Sequence, residues 1–122
     1  MLLDLAGAGV ADQADYAAYT AEWIVVDEYI DYMLTNLYVG NTDWPHKNFY
    51  AARDRARAEG FYAFMWDSEW SMGIRSDLNT NRIGVNTGIA VPWDALKQNP
   101  EFRVRVGDRA HRLPHRHVLV RD

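Results

Sequence analysis

The sequence predicts an α+β domain, mainly helical with one short β-hairpin, and three observations carry that prediction. Aromatic and aliphatic residues recur at spacings of three and four in two N-terminal stretches, the pattern of helices with one buried face. Two aromatic runs flank a charged stretch that ends in glycine, as the strands of a hairpin flank their turn. The chain has 122 residues, the size of a single core, so residues 1–122 read as one domain with no room for a second lobe.

The first helix is expected over 12–23, where Tyr16, Tyr19 and Trp23 share a face with alanines between them. Ile24-Val25-Val26 is β-branched and favours an extended link. Asp27 is the expected N-cap of a second helix carrying Tyr29, Ile30, Met33, Leu34, Leu37 and Tyr38, closed by Gly40-Asn41. A polar loop with Pro45 inside it follows, from Asn41 to Asn48. Residues 49–53 and 61–66 read as the hairpin strands, and Ser71 to Val91 as a long loop rich in Gly, Asn, Thr and Ser. Pro92 opens a short helix through Lys97, and Pro100 opens a last one with Phe102, Val106 and Ala110 on one face.

Composition removes several function classes. With 13 Lys and Arg against 17 Asp and Glu, the formal charge of −4 offers no basic footprint for nucleic acid. The late arginines, Arg103 to Arg121, are interrupted by Asp108 and apolar positions and read as a solvated helix face and tail. The absence of cysteine excludes disulfide scaffolds, thiolate zinc sites and cysteine nucleophiles. Met1-Leu2-Leu3-Asp4-Leu5 fails as a signal peptide, and no apolar run approaches the ~18 residues of a membrane span. Five Trp, seven Tyr and four Phe are a large aromatic investment for so short a chain, and Trp44, Trp66 and Trp70 are expected as core or site walls.

Three polar residues bracket the hairpin. Asp43 lies in the loop before it, Asn48 at the entry to its first strand, and Asp67 directly after its second. Asp43 and Asn48 form Asp-x-x-x-x-Asn, the spacing at which a protein-kinase catalytic loop sets a carboxylate for the substrate hydroxyl and an amide oxygen for a metal. Phosphoryl transfer needs hard oxygen ligands for the cation that bridges the phosphates, and a carboxylate with an amide supplies them without excess charge. The competing reading is a turn, with Asp43 starting it before Pro45 and Asn48 bonding its own backbone.

The stretch from Asn36 to Arg53, with Gly40-Asn41-Thr42-Asp43-Trp44-Pro45 and Asn48-Phe49-Tyr50 inside it, resembles the spore coat protein H (CotH) kinase family. So do Phe64-Met65-Trp66-Asp67-Ser68-Glu69, the stretch from Leu96 to Arg103, and Asp108-Arg109; together they cover roughly residues 25–112. The resemblance implies an atypical protein-kinase-like fold that transfers phosphate from ATP to serine on a protein substrate. It implies Asp43 as the catalytic carboxylate, Asn48 and Asp67 as ligands of Mg²⁺ or Mn²⁺, and a spore-coat or cell-surface setting. Nothing before residue 25 resembles the glycine-rich loop and lysine of a nucleotide-binding lobe, and Gly7-Ala8-Gly9 is only a short glycine pair. The chain is therefore read as a C-lobe fragment, inactive by itself. The alternative is a structural or adhesive module that keeps the scaffold without the chemistry.

Lys47 is within reach of a phosphate bound at the loop, and Glu69 is placed to orient a ligand or a metal-bound water. Asp67 and Glu69, two apart, would share a face of a strand and with Trp66 and Trp70 suggest a carbohydrate site. His111, His115 and His117 suggest a metal tract or an exposed tail, with Pro114 interrupting the helix there.

Overall fold

The structure, a computed structural model, describes residues 9–119 apart from 76 and 78, with side chains as far as Arg112. The order is α1 (Gln13–Glu22), α2 (Val26–Tyr38), β1 (Phe49–Ala52), β2 (Tyr62–Met65), a 3-10 turn (Gly88–Ala90), α3 (Val91–Leu96) and α4 (Pro100–Leu119). Among the described residues, four helices and one antiparallel pair of strands make this an α+β fold. No described helix is long and apolar enough to cross a membrane.

Asp12 caps α1 by accepting from the Ala14 amide at 2.8 Å, and Tyr16 and Tyr19 turn inward. The β-branched link is extended as expected, because it docks the hairpin: Ile24 bridges Phe61 in parallel, the Val25 amide donates to the Phe61 carbonyl, and the Phe61 amide to the Trp23 carbonyl. Asp27 is not the N-cap of α2. The helix starts two residues earlier, with Val25 at the cap, since the bridge at Ile24 already fixes the chain at this point. Asp27 stands in the first turn instead, where a carboxylate favours the positive end of the helix, and pairs with Arg105 at 3.2 Å.

The inward face of α2 carries Tyr29, Ile30, Tyr32, Met33 and Asn36, and packs against both β2 and α4. Gly40, at φ +63°, turns the chain out of the helix; its amide and that of Asn41 return to the Leu37 and Asn36 carbonyls. In the hairpin Phe49 pairs with Met65, Tyr50 with Phe64, Ala51 with Ala63 and Ala52 with Tyr62, so each strand is shorter than the sequence suggested. Alternation sends Phe49 and Ala63 to the core and leaves Tyr50 and Phe64 exposed on the other face, ring centroids 5.9 Å apart. Two four-residue strands are marginal alone, so the hairpin depends on α2 and Ile24.

The long loop is tied back at both ends. Thr42 and Met72 amides bond the Trp70 and Val39 carbonyls near its start, and at its end Ile89 bonds the Pro45 carbonyl. Gly88 makes the second approach possible: its φ is +53°, and a Cβ there would lie 2.1 Å from the Pro45 oxygen. The buried Tyr29 hydroxyl donates to the Ile89 carbonyl at 2.8 Å and accepts from the Trp93 amide at 2.9 Å, locking α2 to α3. Phe102 meets Trp93 edge to face at 5.5 Å and brings α4 into the core.

Two expectations for the last helix are corrected. Arg105 and Arg109 are not simply a solvated face, because they cross to Asp27 and Asp31 of α2, with Arg109 Nε 2.8 Å from Asp31 Oδ1. Pro114 does not end the helix, which runs to Leu119: proline's own φ is helical, and it removes a single backbone donor.

Candidate active site

The loop that leaves α2 is held by buried polar groups. Asn36 and Asn41 are almost completely inaccessible. The Asn36 amide donates to the Tyr32 carbonyl, Asn41 Nδ2 donates to Asn36 Oδ1 at 3.0 Å, and Asn41 Oδ1 accepts the Asp43 backbone N–H at 3.2 Å. Trp44 is fully buried, its indole N–H on the Tyr32 hydroxyl at 2.8 Å and its ring edge-on to that of Tyr32. Burial pushes the Tyr32 hydroxyl up to about 12, against the opposing effect of the Trp44 hydrogen bond, so it stays neutral. The Arg82 guanidinium, from the long loop, donates to the Trp44 carbonyl. The Trp44–Pro45 peptide is cis.

This frame presents Asp43 at the surface, its side chain 18% exposed. Lys47 Nζ lies 2.9 Å from Asp43 Oδ1, and Asn48 Nδ2 donates both to Asp43 Oδ2 at 2.8 Å and to the Asp43 carbonyl at 3.0 Å. The Lys47 ammonium, then the Asn48 amide, hold the Asp43 carboxyl below the ordinary carboxylate range, outweighing its partial desolvation. Asn48 therefore bonds Asp43 and not its own backbone. Both of its bonds use Nδ2, which leaves its Oδ1 as the atom able to meet a cation.

The second half of the site follows β2. Asp67 has φ +51° and Asn48 φ +56°, so the two residues bracketing the hairpin both sit in the left-handed region that Asn and Asp enter more readily than other side chains. That turn takes Asp67 and Glu69 off the strand, which ends at Met65, and removes the shared strand face on which the carbohydrate reading rested. The Asp67 carboxylate, hydrogen-bonded to Glu69, raises the Glu69 carboxyl above its ordinary value, and the charge of Asp43 adds to the rise. Glu69 thus feels carboxylates from both loops. Arg75 stacks on the Trp70 ring at 4.8 Å and partly offsets them.

Comparison with protein families matches residues 3–116 to the family described as CotH kinase protein. The chain belongs to the CotH kinase family. No curated protein and no solved structure matches it. The family match extends further toward both ends than the stretches that carry the resemblance in the sequence, and so takes in α1 and most of α4.

Within this CotH kinase chain the sequence missed several residues that shape the site. Asn36 stands on the buried face of a helix, and Asn41 reads in sequence as a simple helix stop; an amide among apolar helix positions was the available signal. Arg82 and Arg75 come from the long loop, where no periodicity marks them. Trp44 is the buried wall expected, whereas Trp66 is 67% exposed and, with Phe49, Tyr50 and Phe64, lines an apolar hollow of about 470 Å³. His111 is exposed; the side chains of His115 and His117, and residues Gly7 and Ala8, lie outside the described residues.

Among the described residues no three His, Cys, Asp or Glu side chains form a cage for a metal ion. A nucleotide-linked Mg²⁺ does not need one, since it is held by one or two protein oxygens together with phosphates and water. The chemistry of the donor set fits that mode: hard oxygens only, an amide oxygen free at Asn48 and a carboxylate at Asp67 with Glu69 two residues on.

Proposed function

We propose that the chain carries the catalytic-loop side of a kinase site that moves the γ-phosphoryl group of ATP to a serine hydroxyl on a protein. The observation that carries this reading is the Asn48 amide bonded twice to Asp43, which ties the candidate base to the candidate metal ligand through one side chain. In this reading Asp43 receives the hydroxyl hydrogen bond and then its proton. Its lowered pKa keeps it ionised at neutral pH, ready to accept the hydroxyl hydrogen bond that orients the nucleophile. Lys47, paired with Asp43 and 56% exposed, is the cation at this loop that would meet a bound phosphate.

Asn48 Oδ1 and the Asp67 carboxylate are the groups to hold Mg²⁺ or Mn²⁺, with Glu69 orienting a water of its shell. The cation supplies the positive charge that neutralises the phosphates. The hollow lined by the exposed rings of Tyr50, Phe64 and Trp66 offers a surface on which a purine could stack. The surface of a spore coat or cell is the setting in which a secreted-type protein substrate would be met.

The test is ATP-dependent phosphate labelling of a serine-containing protein substrate by the protein that carries this chain. Asp43→Ala and Asp67→Ala should each lower labelling by at least ~10²-fold, the range expected of groups acting at the transition state. Unchanged labelling in both variants would sink the reading and leave the non-catalytic structural module.

A further inference from the structure

We propose that Asn41 is a positioning residue for this site: it transmits the rigidity of α2 to Asp43 and, through Asp43, to Asn48. The inference rests on the kinase reading for its meaning but on geometry for its content. Asn41 is fully buried, and its amide is used at both ends, Nδ2 on Asn36 Oδ1 and Oδ1 on the Asp43 N–H. Asn36 is fixed in turn by the Tyr32 carbonyl one helical turn back. The relay fixes which way each amide points: Asn36 must donate to a carbonyl, so it offers oxygen to Asn41, and Asn41 then offers oxygen to Asp43.

Nothing else bonds the Asp43 amide among the described residues. The carbonyl of Asp43 receives Asn48 Nδ2, so a shift of this peptide moves the amide of Asn48 as well as the carboxylate. A buried apolar residue would fill the same space and leave two groups unpaired, Asn36 Oδ1 and the Asp43 N–H, freeing the peptide whose carbonyl orients Asn48. A buried hydrogen-bonded chain of this kind has one satisfied arrangement, and that is how it can specify geometry beyond what packing gives.

The experiment uses the 122-residue chain with two near-isosteric substitutions, Asn41→Leu, which removes both bonds, and Asn41→Asp, which keeps the acceptor for Asp43. Amide exchange is read by NMR at the Asp43 N–H and the Asn48 side-chain NH₂, and Mn²⁺ affinity by titration. Asn41→Leu should speed exchange at both sites at least ~10-fold and weaken Mn²⁺ binding about 10-fold. Asn41→Asp should keep the Asp43 amide protected. If Asn41→Leu lowers only the melting temperature, with exchange at Asp43 and Asn48 and Mn²⁺ affinity unchanged, the residue is merely structural and the proposal falls. Should Asn41→Leu not fold, Asn41→Ser, too short to reach Asn36 and Asp43 together, takes its place with the same expected losses. A wild-type chain that binds no Mn²⁺ would count against the proposed function, while the exchange rates would still decide the role of Asn41.

Discussion

The two loops that make the site are built to opposite plans. The loop of Asp43 hangs from buried groups on every side: Asn36 and Asn41 beneath it, Trp44 sealed against Tyr32, and Pro45 gripped by the turn at Gly88 and Ile89. The loop of Asp67 and Glu69 is mostly exposed; its ties include backbone bonds to Thr42 and Val39, hydroxyl bonds from Thr42 and Ser71 to its carbonyls, and a cation stacked on Trp70, with no buried side-chain relay beneath it among the described residues. A rigid base and a compliant ligand arm suit a site that must hold a nucleophile still while admitting and releasing a charged group. Rigidity where a proton moves and looseness where a ligand exchanges follow one rule: positioning demands over-determination, and exchange forbids it.

Mutations can break the contrast. Trp44→Ala should have the largest effect, about 3–5 kcal/mol, because it empties a fully buried site and strips the Tyr32 hydroxyl of its donor; urea unfolding measures it. Gly88→Ala should cost ~2 kcal/mol or more, since a side chain there meets both a positive φ and the Pro45 carbonyl. On the compliant side, Arg75→Ala should cost no more than about 1 kcal/mol, the range of an exposed cation over a ring. A large loss at Arg75 would mean that the second loop is as rigid as the first.

The smallest effect has a defined sign. Asp67 raises the Glu69 carboxyl above its ordinary value, so folding favours protonated Glu69, and that contribution is lost as pH rises through the raised value. Glu69→Gln, fixed in the neutral form, should therefore be slightly more stable than the natural protein at pH 7. The difference should shrink as pH falls to ~4, where Glu69 itself is protonated. Thermal melts across that range read it directly.

Much of this fold is legible in the sequence because short-range rules govern it. The spacing of Tyr16 and Tyr19, and of Tyr29, Ile30 and Met33, marks two helices and the faces they bury. The aromatic runs mark the hairpin, and Asp43, Asn48 and Asp67 stand out because they bracket it. What the sequence hid is set by contacts distant along the chain. Asn99 of the last turn and Asn41 of the first loop look alike as polar punctuation; one caps α4 through the Glu101 amide, and the other carries a buried relay. The start of α2 moved because Phe61, far downstream, pins Ile24. Pro114 looked like a stop, yet a proline's φ suits a helix and the backbone continues.

In the proposed function the rigid and compliant loops form one cation site, with Asn48 from the first and Asp67 from the second. The most direct measurement is a Mn²⁺ titration of the chain followed by tryptophan fluorescence, since Trp66 adjoins Asp67 and Trp70 lies in the same loop. A saturable change in the natural protein, weakened at least ~10-fold in Asn48→Leu and in Asp67→Asn alike, is the predicted result. A response that either substitution leaves unchanged would contradict it.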